Sequence, residues 1–138
     1  MNILKTAMLA GGVIAVAVTI GHCLFYRWFR WKEVFEKVTH KDRRVFYTIH
    51  VFLIPLFVLS AYLSFFHTDE LARAEGISKG ILIFYSLFWF CRGIWQIVYF
   101  RPLRLEMNDG TLKRMDFVIS AISFGSSALY FVPLIPHL

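Results

Sequence analysis

Charged side chains divide the chain into long apolar stretches. Residues 6–26, 45–66 and 117–138 contain no Lys, Arg, Asp or Glu, and residues 80–100 contain one, Arg92. Each stretch is about 21 residues long, and an α-helix rising 1.5 Å per residue needs roughly 20 to cross the hydrocarbon core. None shows the period-two alternation of barrel strands. The pattern predicts an all-α integral membrane protein, an antiparallel four-helix transmembrane bundle forming a single domain. Its helices are expected at about residues 4–27, 44–66, 78–101 and 113–132.

Local signals refine these elements. In helix 1, Ala7, Gly11, Ala15 and Thr19 recur every four residues, a small-residue face that lets another helix approach closely. Trp28, Trp31, Phe35 and Val38 continue the helical spacing beyond it, with charges between them. This predicts an interfacial helix at about 28–38, with Trp28 and Trp31 anchoring at headgroup depth. Partner docking through the two tryptophans is the alternative. Pro55 removes a backbone donor inside helix 2, where a kink is expected. Residues 67–79 read as a short loop in which Gly76-Ile77-Ser78 marks a turn and helix start. Met107-Asn108-Asp109-Gly110-Thr111 reads as a tight turn, and Pro133 and Pro136 end the last helix.

Composition agrees with the pattern. Apolar residues make up 58% of the 138, aromatics 18% and charged residues 17%, against about 25% charged in soluble domains. The basic residues also carry topology information. Arg27, Arg30, Lys32, Lys37, Lys41, Arg43 and Arg44 lie in the first loop, and Arg101, Arg104, Lys113 and Arg114 in the third. Only Lys5, Arg73 and Lys79 fall on the other side. The positive-inside rule then places loops 1 and 3 in the cytoplasm and both termini outside the cell membrane. The +6 net charge is thereby read as topology, without a nucleic-acid surface. Lys5 followed by an apolar run and Ala15-Val16-Ala17 resembles a secretory signal, but the run continues to Tyr26, too long for a signal core.

Polar residues inside the spans are the candidates for function, because polarity in lipid is costly. Tyr85, Trp89, Arg92, Gln96 and Tyr99 are spaced 4-3-4-3 and share one helix face. Asp116, Ser120, Ser123, Ser127 and Tyr130 repeat that spacing. Gly11, Ala15, Thr19 and His22 form a face in helix 1; His50, Phe57, Ala61 and Ser64 form one in helix 2. Turning all four inward gives a bundle with a partly polar interior. Counted from the basic flanks, His22, His50, Gln96, Ser120 and Ser123 lie roughly 6–10 Å inside the cytoplasmic boundary. Arg92 lies about 13 Å deep and can snorkel to the same level. Arg92 is expected to lack an acidic partner, since Asp116 counts as a boundary residue; it would then seek an anion or settle for Gln96, tyrosines and carbonyls.

Several chemistries fit this set. His22 and His50 suit axial ligation of a b-type haem, with Arg92 at a propionate. They suit equally a quinone headgroup, or simply mutual satisfaction that fixes helix register. The ligand-binding candidates are thus His22, His50, Arg92, Gln96, Ser120, Ser123 and Tyr99. No metal-ligand spacing, phosphate loop, nucleophile elbow or zinc motif occurs. Cys23 and Cys91 lie within spans, which excludes a disulfide-generating quinone enzyme. The lack of intramembrane carboxylates argues against small multidrug transporters, and the second span lacks the Arg/Asn/Glu-rich motif of membrane glutathione transferases.

The segments Arg44-Val45-Phe46-Tyr47-Thr48-Ile49-His50 and Phe88-Trp89-Phe90-Cys91-Arg92-Gly93-Ile94-Trp95-Gln96 resemble small uncharacterised four-span bacterial inner-membrane proteins. In those, an early His stands in the second span and an Arg precedes a Gln by four residues in the third. The resemblance spans most of the chain and implies no activity, but it groups His50, Arg92 and Gln96. The expected role is a non-catalytic accessory or assembly subunit of a larger inner-membrane complex. Its partners would be the lipid bilayer and other membrane proteins, or a second copy through the small-residue face of helix 1. A haem- or quinone-binding redox protein is the rival, and a small-solute or lipid carrier the third reading.

Overall fold

The computed structural model describes residues 2–28, 30–100 and 110–137. Among the described residues, four helices are long and apolar enough to cross a membrane: Ile3–Trp28, His40–Phe66, Gly76–Phe100 and Lys113–His137. Among the described residues there is no strand. Among the described residues, six α-helices follow in order: α1 (Ile3–Trp28), α2 (Trp31–Glu36), α3 (His40–Phe66), α4 (Thr68–Arg73), α5 (Gly76–Trp95) and α6 (Gly110–Phe131). A π-helical turn, Gln96–Phe100, extends α5, and a 3-10 segment, Val132–His137, extends α6. Arg101, Arg104 and residues 107–109 of the tight turn expected at 107–111 lie outside the described residues, while Gly110 and Thr111 of that turn begin α6.

The long helices pack as two close pairs, α1 with α3 and α5 with α6, joined by α1 against α6. The first pair approaches closely because of Gly12: a Cβ there would stand 2.9 Å from Ser64 Cβ. In the second pair, Gly93 receives the Phe124 ring, which a Cβ would meet at 2.8 Å. On the small-residue face of helix 1, Ala7, Gly11 and Ala15 are buried within the chain and Thr19 is half-buried.

Hydroxyls tie the helices together where the interior is polar. The Tyr130 hydroxyl on α6 shares hydrogen bonds with Ser60 (2.7 Å) and Ser64 (3.0 Å) on α3. Ser86 on α5 and Ser127 on α6 each donate to the other's backbone carbonyl, at 3.2 and 2.9 Å. Such bonds satisfy groups that lipid cannot.

Three boundaries differ from expectation. The interfacial helix is shorter, Trp31–Glu36, because Arg30 adopts a left-handed turn (φ 48°) and its guanidinium grips Glu33. α3 starts at His40, not 44, because the Thr39 hydroxyl caps it by accepting from the Asp42 amide. α3 then stays helical through Pro55. Residues 68–73, expected as loop, form α4. Its first turn carries Asp69 and Glu70, which favour a helix N-terminus. Leu71, Ala72 and the following Ala74 are buried against the end of the bundle. Lys5 pairs with Asp69 at 2.7 Å, fastening α1 to this cap. Pro133 and Leu134 of the 3-10 segment are buried in the fold as well, and that segment packs on α1, α4 and α5.

Candidate functional site

The predicted polar residues meet at the end of the bundle opposite α4. α1 brings His22 one helical turn below Val18, whose carbonyl accepts from His22 Nδ1 at 3.0 Å. α3 brings His50, whose Nε2 donates across the helix pair to the His22 carbonyl at 2.7 Å. The two imidazoles stack, with ring centroids 5.2 Å apart and planes inclined by 16°. Aromatic rings enclose them. Phe25 and Phe57 lie 4.6 and 4.7 Å from His22, and the Trp31 ring sits edge-on to His50 at 4.7 Å. Phe57 in turn stacks on Trp89 of α5 at 5.5 Å. These separations are the usual ones for packed rings.

This geometry speaks against axial haem ligation by the pair. Two axial imidazoles each aim a ring nitrogen at the iron, from opposite faces of the macrocycle. Here the rings lie face to face with no layer between them, and His50 spends Nε2 on a backbone carbonyl. Among the described residues, no group of three His, Cys, Asp or Glu side chains is placed to hold a metal ion.

On the other helix pair, Arg92 Nη1 donates to Gln96 Oε1 at 2.8 Å. Gln96 Nε2 donates to Asp116 Oδ1 at 3.0 Å. Gln96 is 3% exposed and Asp116 9%. The expectation that Arg92 lacks an acidic partner is therefore corrected. Asp116 lies within the apolar helix Lys113–His137 and meets Arg92 through one amide. A primary amide suits this position, because it offers an acceptor to the cation and a donor to the anion. Phe57 links the two helix pairs at this level, packing on His22 on one side and stacking on Trp89 of α5 on the other.

The remaining candidates do not join them. Ser123 is buried, and its hydroxyl donates back to the Ile119 carbonyl at 2.8 Å. Ser120 is half-buried. Tyr99 is 63% exposed and stacks on Trp95 at 5.0 Å. It leaves the shared face because the backbone widens into the π-helical turn at Gln96, where i→i+5 bonding breaks the α-helical phase. Trp28 stands outward at 64% exposure, whereas Trp31 turns in toward His50.

Sequence reasoning did not foresee Phe25, Phe57 and Trp89 as the ring wall, nor Asp116 as the counter-charge. A signal for Asp116 was present in its 4-3-4-3 register with Ser120 and Ser123. Against protein-family models, curated proteins and solved structures, the chain gives no match.

Proposed function

We propose that the chain is a multi-pass inner-membrane protein acting as a non-catalytic accessory or assembly subunit of a larger membrane complex. In this reading both termini and α4 lie outside, and the polar cluster lies in the cytoplasmic half. One observation carries it: the chemistry-bearing side chains of the spans are engaged with one another. Arg92, Gln96 and Asp116 form one chain of bonds, and His50 is bonded to the backbone of α1. Side chains committed in this way hold helices in register, and the lipid-facing surface is left for partners. That surface carries large apolar groups such as Phe52, Phe66 and Phe117.

Native electrophoresis after gentle solubilisation of the source membrane, with mass spectrometry of the excised band, tests this. The chain is expected in a particle with the same membrane proteins in independent preparations. A lone monomer or homo-oligomer in every detergent overturns the proposal. Impermeant maleimide labelling of cysteines placed at residues 2 and 137, in a Cys23→Ser, Cys91→Ser background, tests the orientation. Both sites should react from outside.

A second reading keeps the histidine pair as a site for a redox-active quinol. His22 uses Nδ1 as donor, which leaves Nε2 of the neutral ring as an acceptor for a phenolic hydroxyl. Phe25 and Phe57 wall that ring. Extraction of the purified protein with organic solvent, followed by quinone analysis, decides it: a stoichiometric quinone supports this reading and none refutes it.

A further inference from the structure

Each imidazole of the stacked pair spends one ring proton on a backbone carbonyl. His22 Nδ1 donates to Val18 at 3.0 Å, and His50 Nε2 to the His22 carbonyl at 2.7 Å. In the neutral pair this fixes both tautomers and leaves one bare nitrogen on each ring. The charges around the pair can be followed element by element. α1 carries Arg27, five residues beyond His22. α2 carries Lys32 and Glu36, both exposed, and Glu33, which is held by Arg30. α3 carries Arg43 and Arg44, seven and six residues before His50, and Asp42, which accepts from the Thr39 hydroxyl at 2.6 Å. Tyr26 and Tyr47 stack on each other at 6.2 Å. On α5, Arg92 follows Trp89 by three residues and is answered through Gln96 by Asp116 of α6. Among the described residues, neither imidazole has an acidic partner.

A proton added to the pair therefore gains no counter-charge among these rings. A second would set two like charges 5.2 Å apart. Water is the remaining stabiliser of such charge, and the Phe25, Phe57 and Trp31 rings line the pair in its place. α2 is the part of that wall least able to hold itself. Its six residues follow a left-handed turn at Arg30 (φ 48°) and are too few for a stable helix alone. Ring contacts hold it: Trp31 on His50 at 4.7 Å, and Phe35 on Tyr47 at 5.1 Å and Phe46 at 6.0 Å. We propose that His22 and His50 form a proton-operated latch for α2. With both imidazoles neutral, Trp31 packs on His50 and α2 is closed against α3. Protonation draws water to the pair, parts the stacked rings and releases Trp31, with α2 turning about Arg30. Imidazole is the side chain that ordinarily changes charge between about pH 5 and 8, so α2 is closed above that interval and open below it. This device goes beyond the accessory role and requires no bound quinol.

The test uses the full chain in phosphatidylcholine nanodiscs, with Trp28→Phe, Trp89→Phe and Trp95→Phe leaving Trp31 as the one tryptophan. The acrylamide quenching constant of Trp31 should rise at least threefold from about pH 8 to about pH 5.5 and return on neutralisation. His22→Phe combined with His50→Gln keeps a ring and a carbonyl donor at the two positions but takes up no proton. Its quenching should stay at the closed level throughout. A second measurement leaves the pair intact. Histidine-labelled protein with His40→Gln, His67→Gln and His137→Gln retains His22 and His50 as its only imidazoles. Their protonation, followed by nuclear magnetic resonance, should share its midpoint with the Trp31 transition. Quenching that is flat with pH in the parent would overturn the proposal. So would a double variant that opens as the parent does, or midpoints more than about one pH unit apart.

Discussion

Tyr130→Phe removes one oxygen and leaves the ring in place. In the native chain that oxygen is buried and serves Ser60 at 2.7 Å and Ser64 at 3.0 Å. Hydrogen bonds between helices in a membrane average about 0.6 kcal/mol and reach about 1.7. Two of them lost together predict a cost of about 1–3 kcal/mol. The lower end applies if both serines turn back to carbonyls four residues earlier. Ser60 has little room to do so, because the Leu56 carbonyl already accepts from Tyr85 at 3.2 Å. The variant should therefore lose about 2 kcal/mol. Equilibrium unfolding by sodium dodecyl sulfate in mixed micelles, followed by circular dichroism, reads this directly. Ser60→Ala combined with Ser64→Ala should cost a similar amount, and adding Tyr130→Phe to that pair should cost little more. If Tyr130→Phe unfolds with wild type, the hydroxyl cluster does not hold α3 to α6.

Gly12→Leu should destabilise by at least 1–3 kcal/mol in the same assay, because its Cβ would stand 2.9 Å from Ser64 Cβ and 3.1 Å from the Phe65 ring. A wild-type midpoint would mean that α1 and α3 are not in contact there. The Lys5–Asp69 pair makes a pH prediction. The hydrogen bond and charge of Lys5 hold the Asp69 carboxyl below its usual 3.8. A lowered carboxylate contributes stability above its unfolded value and loses it as pH falls through the folded value. Asp69→Asn should thus lower the thermal midpoint slightly at pH 6, and the gap should close only as pH falls below 3.8 through the lowered folded value; added salt should narrow it at pH 6. A gap that widens on acidification would contradict the pairing.

The spans were legible because their signal is collective: about twenty consecutive residues without charge leave few alternatives. The 4-3-4-3 faces were legible for the same reason, and Tyr85, Trp89 and Gln96 are buried as that phase requires. Tyr99 was not, since the period used to place it ends where the π-helical turn begins. α4 escaped notice because its six residues are too few for a periodic signal, and its stability comes from the bundle end beneath Leu71 and Ala74. Asp116 was not seen as a partner for Arg92, because pairing across helices is invisible to a count along one of them. Counting residues from a charged flank treats every charge as a boundary marker, and a carboxylate reached by a neighbouring helix's amide breaks that assumption. The stacking of His22 on His50 needed the relative rotation of two helices, which no single-helix pattern contains.

The account's central claim is that Arg92 is answered within the chain by Asp116, through Gln96. A double-mutant cycle on Arg92→Met and Asp116→Leu, measured by unfolding in mixed micelles, tests it most directly. With Gln96 present, the two single losses should exceed the double loss, giving a coupling of about 1–2 kcal/mol. In a Gln96→Met background the coupling should fall toward zero. Additive losses with Gln96 present would contradict the claim.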